Sequence, residues 1–436
     1  MQLGGRLQAA IEVVTDITAH HRPASDALRD WGRTHRFAGS GDRAVIGNIV
    51  FDVLRKRLSL AHGMGSDTPR ALVLGAAPSA LGLSVQEIAA AVDGSRHAPE
   101  AITEAETSAL RAAPDLANAP VHVQADVPDW LMPSLQRRFE GQADLIAEGR
   151  ALAERAPLDV RINTLKADRD RVAAHFKSIA PRPTPHAPHG LRFDVAVGQV
   201  RLPNVEADPA HGKGWIEVQD EGSQIAAALA GASPRAQVID LCAGAGGKTL
   251  ALGAAMENTG QIYAYDRDRQ QLRPIFERIR RAGLRQVQVM TAGDREALNA
   301  LAGRFDLVFV DAPCSGSGTW RRKPDAKWRL KPKALETRQA EQREVLEIAA
   351  PLVQPGGRLA YVTCSLLPEE NEDQVSAFLQ AHPEFSALAL APYWSEHLSS
   401  DPAEHLHSGA HDVQLTPLRH GTDGFFIALL ERSATH

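Results

Sequence analysis

The sequence predicts an α/β protein. Its C-terminal half is a doubly wound, largely parallel sheet, preceded by a small α+β module and an all-helical N-terminal domain. Three observations predict this. From residue 236 onward, short apolar runs alternate with helical stretches, the texture of a parallel sheet with crossover helices. Residues 157–225 hold strand-like runs separated by Pro- and Gly-bearing turns. The first 100 residues carry helical periodicity and almost no strand signal.

Size and composition agree. A chain of 436 residues suggests two or three domains. With 44% hydrophobic and 23% charged residues it is an ordinary globular sequence, neither fibrous nor disordered. The formal net charge of -5 gives no global nucleic-acid signal, so any such surface must be a local patch. Cys242, Cys314 and Cys364 are too few for a disulfide scaffold. None has a Cys or His nearby at zinc-ligand spacing, so no metal is expected. Nothing resembles a signal peptide or a membrane span. A soluble, cytoplasmic, monomeric protein is expected.

The elements follow in order. Leu7, Ile11, Val14 and Thr18 recur at helical spacing, as do Ile46, Val50, Val53 and Arg57, with Ile49 and Leu54 widening the stripe. Ser84 and Glu87 form a capping-box pattern. Pro, Ala, Asn and Asp interrupt residues 96–126, a linker, and 128–151 is helical again. These readings place domains at 1–125, 126–230 and 231–436. In the module, LDVRINTL, LRFDVAVG and GWIEVQ are strand-like, with a helix near 167–179. In the last domain QVIDLC, QIYAYD, QVQVMT, DLVFVD, GRLAYVTC and FFIALL are the strands; helices fall at 248–256, 268–282, 334–353 and 370–381.

The first of those strands runs into AGAGGKT, a glycine-rich strand-to-helix turn. Such a turn lets a ligand reach bare backbone near a helix N-terminus. A phosphate-binding P-loop would need Gly at 242, which is Cys. A dinucleotide fingerprint would need a third Gly at 249, which is Thr. Asp266 closes the second strand, where a carboxylate accepts hydrogen bonds from ribose hydroxyls. Asp294 follows the third, beside an adenine edge; either Asp is also a natural turn or cap residue. A nucleoside cofactor without a phosphate loop points to S-adenosylmethionine.

The fourth strand ends in Asp311-Ala312-Pro313-Cys314 and the fifth in Thr363-Cys364-Ser365. Ligands of doubly wound sheets bind beyond these strand ends. Carbon 5 of cytosine is a poor nucleophile. A thiolate adding to C6 pushes electron density onto C5, which then attacks a methyl sulfonium. A second base removes the C5 proton, and a carboxyl group at N3/N4 favours addition. One cysteine attacks, the other aids release, and Asp311 holds the pyrimidine edge. Lys248 supplies positive charge for the thiolate. Cys242, inside its strand, reads as a small buried hydrophobe.

These residues resemble the RNA 5-methylcytosine methyltransferases, the group containing bacterial Sun/RsmB and eukaryotic Nop proteins. The resemblance spans about 155 to 432, through RINTLK (161–166), VQDEGS (218–223), DLCAGAGGKT (240–249), DAPCSGSGTWRRKPDAKW (311–328), TCSLLPEEN (363–371) and DGFF (423–426). It implies a Rossmann-like class I methyltransferase domain, Cys364 as nucleophile and Cys314 as the releasing residue. It also implies cofactor contacts from Cys242, Ala243, Gly244, Ala245, Gly246, Gly247, Lys248, Asp266, Asp294 and Asp311. The family loop reads Cys-Ala-Ala-Pro-Gly-Gly-Lys; here Gly244 and Ala245 replace Ala and Pro, which loosens it. Residues 37–57 resemble the family's NusB-like RNA-binding extension, favouring small-subunit ribosomal RNA over tRNA as substrate. A silent RNA-binding assembly factor of the same fold is the alternative from another class.

Arg321, Arg322, Lys323, Lys327, Arg329, Lys331 and Lys333 crowd the stretch after Cys314, with Trp320 and Trp328 interleaved. Basic groups track phosphates and aromatics stack on splayed bases, so Arg321, Arg322, Lys323, Lys327 and Trp328 are expected to contact RNA. The tryptophans serve equally as packing anchors. A second basic set, Arg267 to Arg285, reads as a solvated helix face with acidic partners.

Overall fold

A computed structural model describes all residues except 113–114, 195–202 and 435–436. The end of the LRFDVAVG run therefore lies outside the described residues.

The described chain divides into two compact units, one of residues 1–156 with Thr319–Leu330, the other of 157–194, 203–318 and 331–436. The first is helical throughout. Its core is the periodic stripe, with Leu7, Val14, Ile46, Ile49, Val50 and Val53 fully buried. Ser84 and Glu87 cap their helix reciprocally. The helices Met132–Arg138 and Gly141–Leu152 belong to this unit. This compact helical unit thus takes in the helices after the interrupted stretch and runs to Ala156.

The second unit contains two sheets. β1 (Leu158–Ile162), β2 (Arg182–Pro183), β3 (Gly190–Phe193) and β4 (Ile216–Val218) form a four-stranded antiparallel sheet ordered β2-β3-β1-β4. A buried charge cluster fastens it: Arg192 donates to both oxygens of Asp159 at 2.7 Å and to Glu221 at 3.1 Å.

The larger sheet comprises β5 (Gln237–Asp240), β6 (Gln261–Ala264), β7 (Val287–Val289), β8 (Phe305–Asp311), β9 (Val353–Thr363), β10 (Phe385–Ala387), β11 (Asp412–Leu415) and β12 (Phe425–Arg432). Its order is β10-β12-β9-β8-β5-β6-β7, with β11 also on β12. Strands β5 to β9 run parallel and β12 antiparallel to β9. All six expected strands are present. β10 and β11 were not legible, being runs of only three and four residues. The chain winds outward through β6 and β7, then returns to place β8 beside β5. That reversal opens a crevice beyond the strand ends.

Candidate active site

The loop after β5 is shaped by two glycines in the left-handed region, Gly244 at φ 49° and Gly246 at φ 86°. A Cβ on Gly246 would lie 2.4 Å from Cγ1 of Ile275, so only Gly lets the next helix seat. The Gly244 N–H donates to Asp266 Oδ2 at 2.9 Å, and Arg278 donates to the Ala245 carbonyl at 2.9 Å. The other Asp266 oxygen accepts the Asp268 N–H at 2.8 Å. Asp266 thus braces the loop while each oxygen keeps a lone pair for a ribose hydroxyl.

A cavity of about 760 Å³ opens over this loop, within the range of small-molecule sites. Residues 242–245, Gly247, Lys248, Asp266 and Asp311 line it as expected. Two expected cofactor residues do not. Gly246 packs under Ile275 instead. Asp294 caps the Arg295–Asn299 helix, accepting the Ala297 N–H at 2.9 Å, and Arg295 takes the wall position. Asp294 is thus seen in its alternative role, a helix cap, one residue from the cavity wall.

Sequence reasoning missed Asp240. It lines the cavity, and its buried Oδ1 has no partner; Oδ2 accepts the Thr249 hydroxyl at 2.6 Å. Burial pushes its carboxyl up to about 7. An orphaned carboxylate oxygen in a cavity wants a cation. The far wall, Arg338, Glu341 and Glu344 of helix Pro332–Ala349, carried no motif either.

Beyond Asp311 the cysteines meet. β8 and β9 pair up to Asp311 opposite Val362, so the chain ends of both strands emerge side by side. Cys314 Sγ and Cys364 Sγ lie 3.4 Å apart, both half-buried. The Cys314 thiol is pushed well up by its hydrogen bond with Cys364 and by burial. Lys248 Nζ donates to Asp311 Oδ2 at 2.6 Å. Burial alone would lower this ammonium, but the Asp311 carboxylate and, next in strength, Cys364 raise it. Lys248 therefore stays a cation, within electrostatic reach of Cys364.

Glu370 holds the two cysteine turns in register. Its buried carboxylate accepts the Ser315 N–H at 2.8 Å, the hydroxyls of Ser315 and Ser365 at 2.5 Å each, and the Gln342 amide at 3.1 Å. Ser315 follows Cys314 and Ser365 follows Cys364, so one carboxylate ties both turns. Asn371 adds bonds to Thr363 Oγ1 at 2.6 Å and the Ser365 carbonyl at 2.9 Å. Both residues sit inside TCSLLPEEN; the motif was legible, their purpose was not.

The basic segment behaves differently from expectation. Lys327 is 1% exposed, and its ammonium donates to the carbonyls of Arg55 at 3.0 Å and Asp126 at 2.5 Å. Trp328 Nε1 donates to the Leu54 carbonyl at 2.6 Å, and the Arg321 carbonyl accepts from Arg55 at 2.9 Å. Lys327 is corrected from an RNA contact to an anchor of the 319–330 segment in the helical unit, and the half-buried Trp328 serves there as a packing anchor, its alternative reading. Arg321 is buried, Arg322 half-buried and Lys323 exposed.

Comparison with known proteins gives this geometry a family. Residues 227–431 match the model of the 16S rRNA methyltransferases RsmB/F, and residues 127–199 that of the ferredoxin-like domain of RsmF/B-like methyltransferases. The probable ribosomal RNA small subunit methyltransferase B of Synechocystis sp. is 33% identical over 314 residues, covering 71% of this chain and 68% of that protein. The chain belongs to the RsmB/F family. The ribosomal RNA small subunit methyltransferase B of Erwinia tasmaniensis is 32% identical over 70% of this chain and 66% of its own length. Among solved structures, PH0851 aligns over 99% of both chains with a TM-score of 0.73 and 25% identity. A methyltransferase homologue from Pyrococcus horikoshii aligns over 70% of this chain and all of its own, with a TM-score of 0.53 and 26% identity. RsmB/F proteins are S-adenosylmethionine-dependent methyltransferases, and the cavity fits that cofactor. Asp240 would meet an ammonium group with its orphaned oxygen, Asp266 a ribose with its spare lone pairs, and the loop would give its bare backbone.

Proposed function

We propose that this chain transfers a methyl group from S-adenosylmethionine to C5 of a cytosine in small-subunit ribosomal RNA. The paired sulfurs at the ends of β8 and β9 carry this reading. Amine methylation needs no cysteine, because nitrogen has its own lone pair. The cofactor supplies an electrophilic methyl group; the protein supplies the rest. Asp311 presents its free oxygen to the N3/N4 edge, while Lys248 holds the other. Cys364 adds to C6 as a thiolate, with the Lys248 cation within electrostatic reach. Cys314 remains a thiol at this stage, since a second negative sulfur beside Cys364 is disfavoured. Once Cys364 is bonded to carbon, its charge is gone, and by the time C5 carries the methyl group Cys314 has released its proton to solvent. Cys314 then takes the C5 proton, the C6–sulfur bond breaks, and the pyrimidine double bond returns. The matched family model and both relatives' names favour small-subunit ribosomal RNA as substrate.

The test is covalent capture. Cys314→Ala protein mixed with cellular RNA and S-adenosylmethionine should give a protein–RNA adduct on a denaturing gel, lost when Cys364 is also replaced. An adduct from Cys364→Ala alone would reverse the two roles, and none from either would remove the covalent mechanism. Sequencing the trapped RNA decides between ribosomal RNA and tRNA.

A further inference from the structure

The connection from β6 to β7 is nearly continuous helix, Arg269–Leu272 and then Ile275–Ala282, joined by Arg273 and Pro274 in helical conformation. Its two faces differ sharply. Leu272, Ile275 and Ala282 are buried, and Ile279 packs beside them. Arg269, Arg273, Phe276 and Arg280 follow at spacings of four, three and four, which puts them on one outward stripe. Phe276 is 62% exposed, among the few large apolar side chains left in solvent. The three arginines are exposed.

The basic set was expected to find acidic partners, and three of its seven arginines do. Arg267 pairs with Glu341, Arg278 with Glu217, and Arg281 with Glu217 and Glu277. The neighbouring Asp268 is used as a helix cap. Nothing among the described residues pairs with the guanidinium groups of Arg269, Arg273 or Arg280. In a chain of net charge -5, three unpaired cations around a bare aromatic ring form a local exception.

The patch continues past the end of the helix. Lys166 Nζ donates to the carbonyls of Arg281 at 2.6 Å and Lys213 at 3.2 Å, which sets Lys213 beside the helix terminus. Lys213 and Arg171 stand over the Trp215 ring at 4.9 and 4.1 Å. Cations alternating with aromatic faces suit single-stranded nucleic acid, whose phosphates and bases alternate likewise. The inner side of the same helix pair reaches the cofactor cavity through Gln271 and Arg278.

We propose that the stripe Arg269, Arg273, Phe276 and Arg280, extended by Lys213, binds single-stranded RNA flanking the target base. The proposal rests on the RNA methyltransferase reading. The test uses the full chain, with Phe276→Ala, the double variant R273E/R280E, and the conservative pair Phe276→Trp and R273K/R280K. The probe is a fluorescent, unstructured oligoribonucleotide, titrated at several salt concentrations. Phe276→Ala should weaken binding by about fivefold or more through lost base stacking. R273E/R280E should weaken it further and flatten the salt dependence by roughly 1.4 in log–log slope, about 0.7 per lost phosphate contact. The conservative variants should bind like wild type, and melting temperature and S-adenosylmethionine affinity should hold in all. Wild-type affinity and slope in R273E/R280E would overturn the proposal and leave the stripe to a protein partner. Failure of the wild type to bind RNA at all would instead overturn the reading beneath it.

Discussion

Where two sulfurs lie 3.4 Å apart, a second negative charge is disfavoured. Lys248 places positive charge near Cys364, and the hydrogen bond with Cys364 together with burial pushes the Cys314 thiol up. The reading of Cys364 as the attacking residue comes from resemblance; the structure adds that the two sulfurs are neighbours. Glu370 acts one step behind, through Ser315 and Ser365. Because it does not line the cavity, Glu370→Gln should leave the KM for S-adenosylmethionine unchanged. It should lower kcat on the order of tenfold to hundredfold, since a displacement of about 1 Å at a reacting atom has that effect. Steady-state kinetics with both substrates separates this positioning role from a general loss of fold, which would move both constants.

At the scale of elements, the cofactor loop is a packing problem as much as a binding motif. Gly244 and Gly246 both take positive φ, but they differ in surroundings. Space around Gly244 is open, whereas Gly246 is pressed against Ile275. Gly246→Ala should therefore destabilise the protein by roughly 1–3 kcal/mol through clash and backbone strain together. Gly244→Ala carries only the strain, about 1–2 kcal/mol. Denaturant midpoints of the two variants check the order; equal losses would mean that contact with Ile275 is relieved cheaply. Strand and helix positions in this half were legible because each element repeats a short local pattern. The caps were less so: Asp294 reads equally as a ligand or a cap until its helix is seen to begin beside it.

At the scale of the molecule, residues 319–330 leave the catalytic unit in sequence and join the helical one in space. Lys327 is the signature of that exchange, and burial pushes its ammonium down to about 8. An unfolded lysine titrates near 10.5. Between about 8 and 10.5 the unfolded chain therefore holds more protons than the folded one, so this residue makes stability rise with pH across that window. Below about 8 both states are charged and its contribution is flat. Lys327→Met should lack that rise, so the difference between the two stability curves should show it, read by urea denaturation from pH 7.5 to 10.5. Identical pH dependence in both proteins would mean the ammonium is not buried in solution.

The sequence by itself determined the α/β alternation, the glycine turn, and the ordered set of Asp266, Asp311, Cys314 and Cys364 at strand ends. These are local: periodicity and turn chemistry act over a few residues, and a parallel sheet then delivers every strand end to one crevice. The tertiary structure alone decided which side chains meet there and which charges are spent. Lys248 reaches Asp311 across 63 positions, and Glu370 reaches back 55 to Ser315. A run of seven basic residues looked like one surface, yet Lys327 and Trp328 point into a domain more than 200 residues earlier in the chain. Charge is a property of the residue, but whether it faces solvent depends on which distant segment packs against it, and no local pattern carries that information.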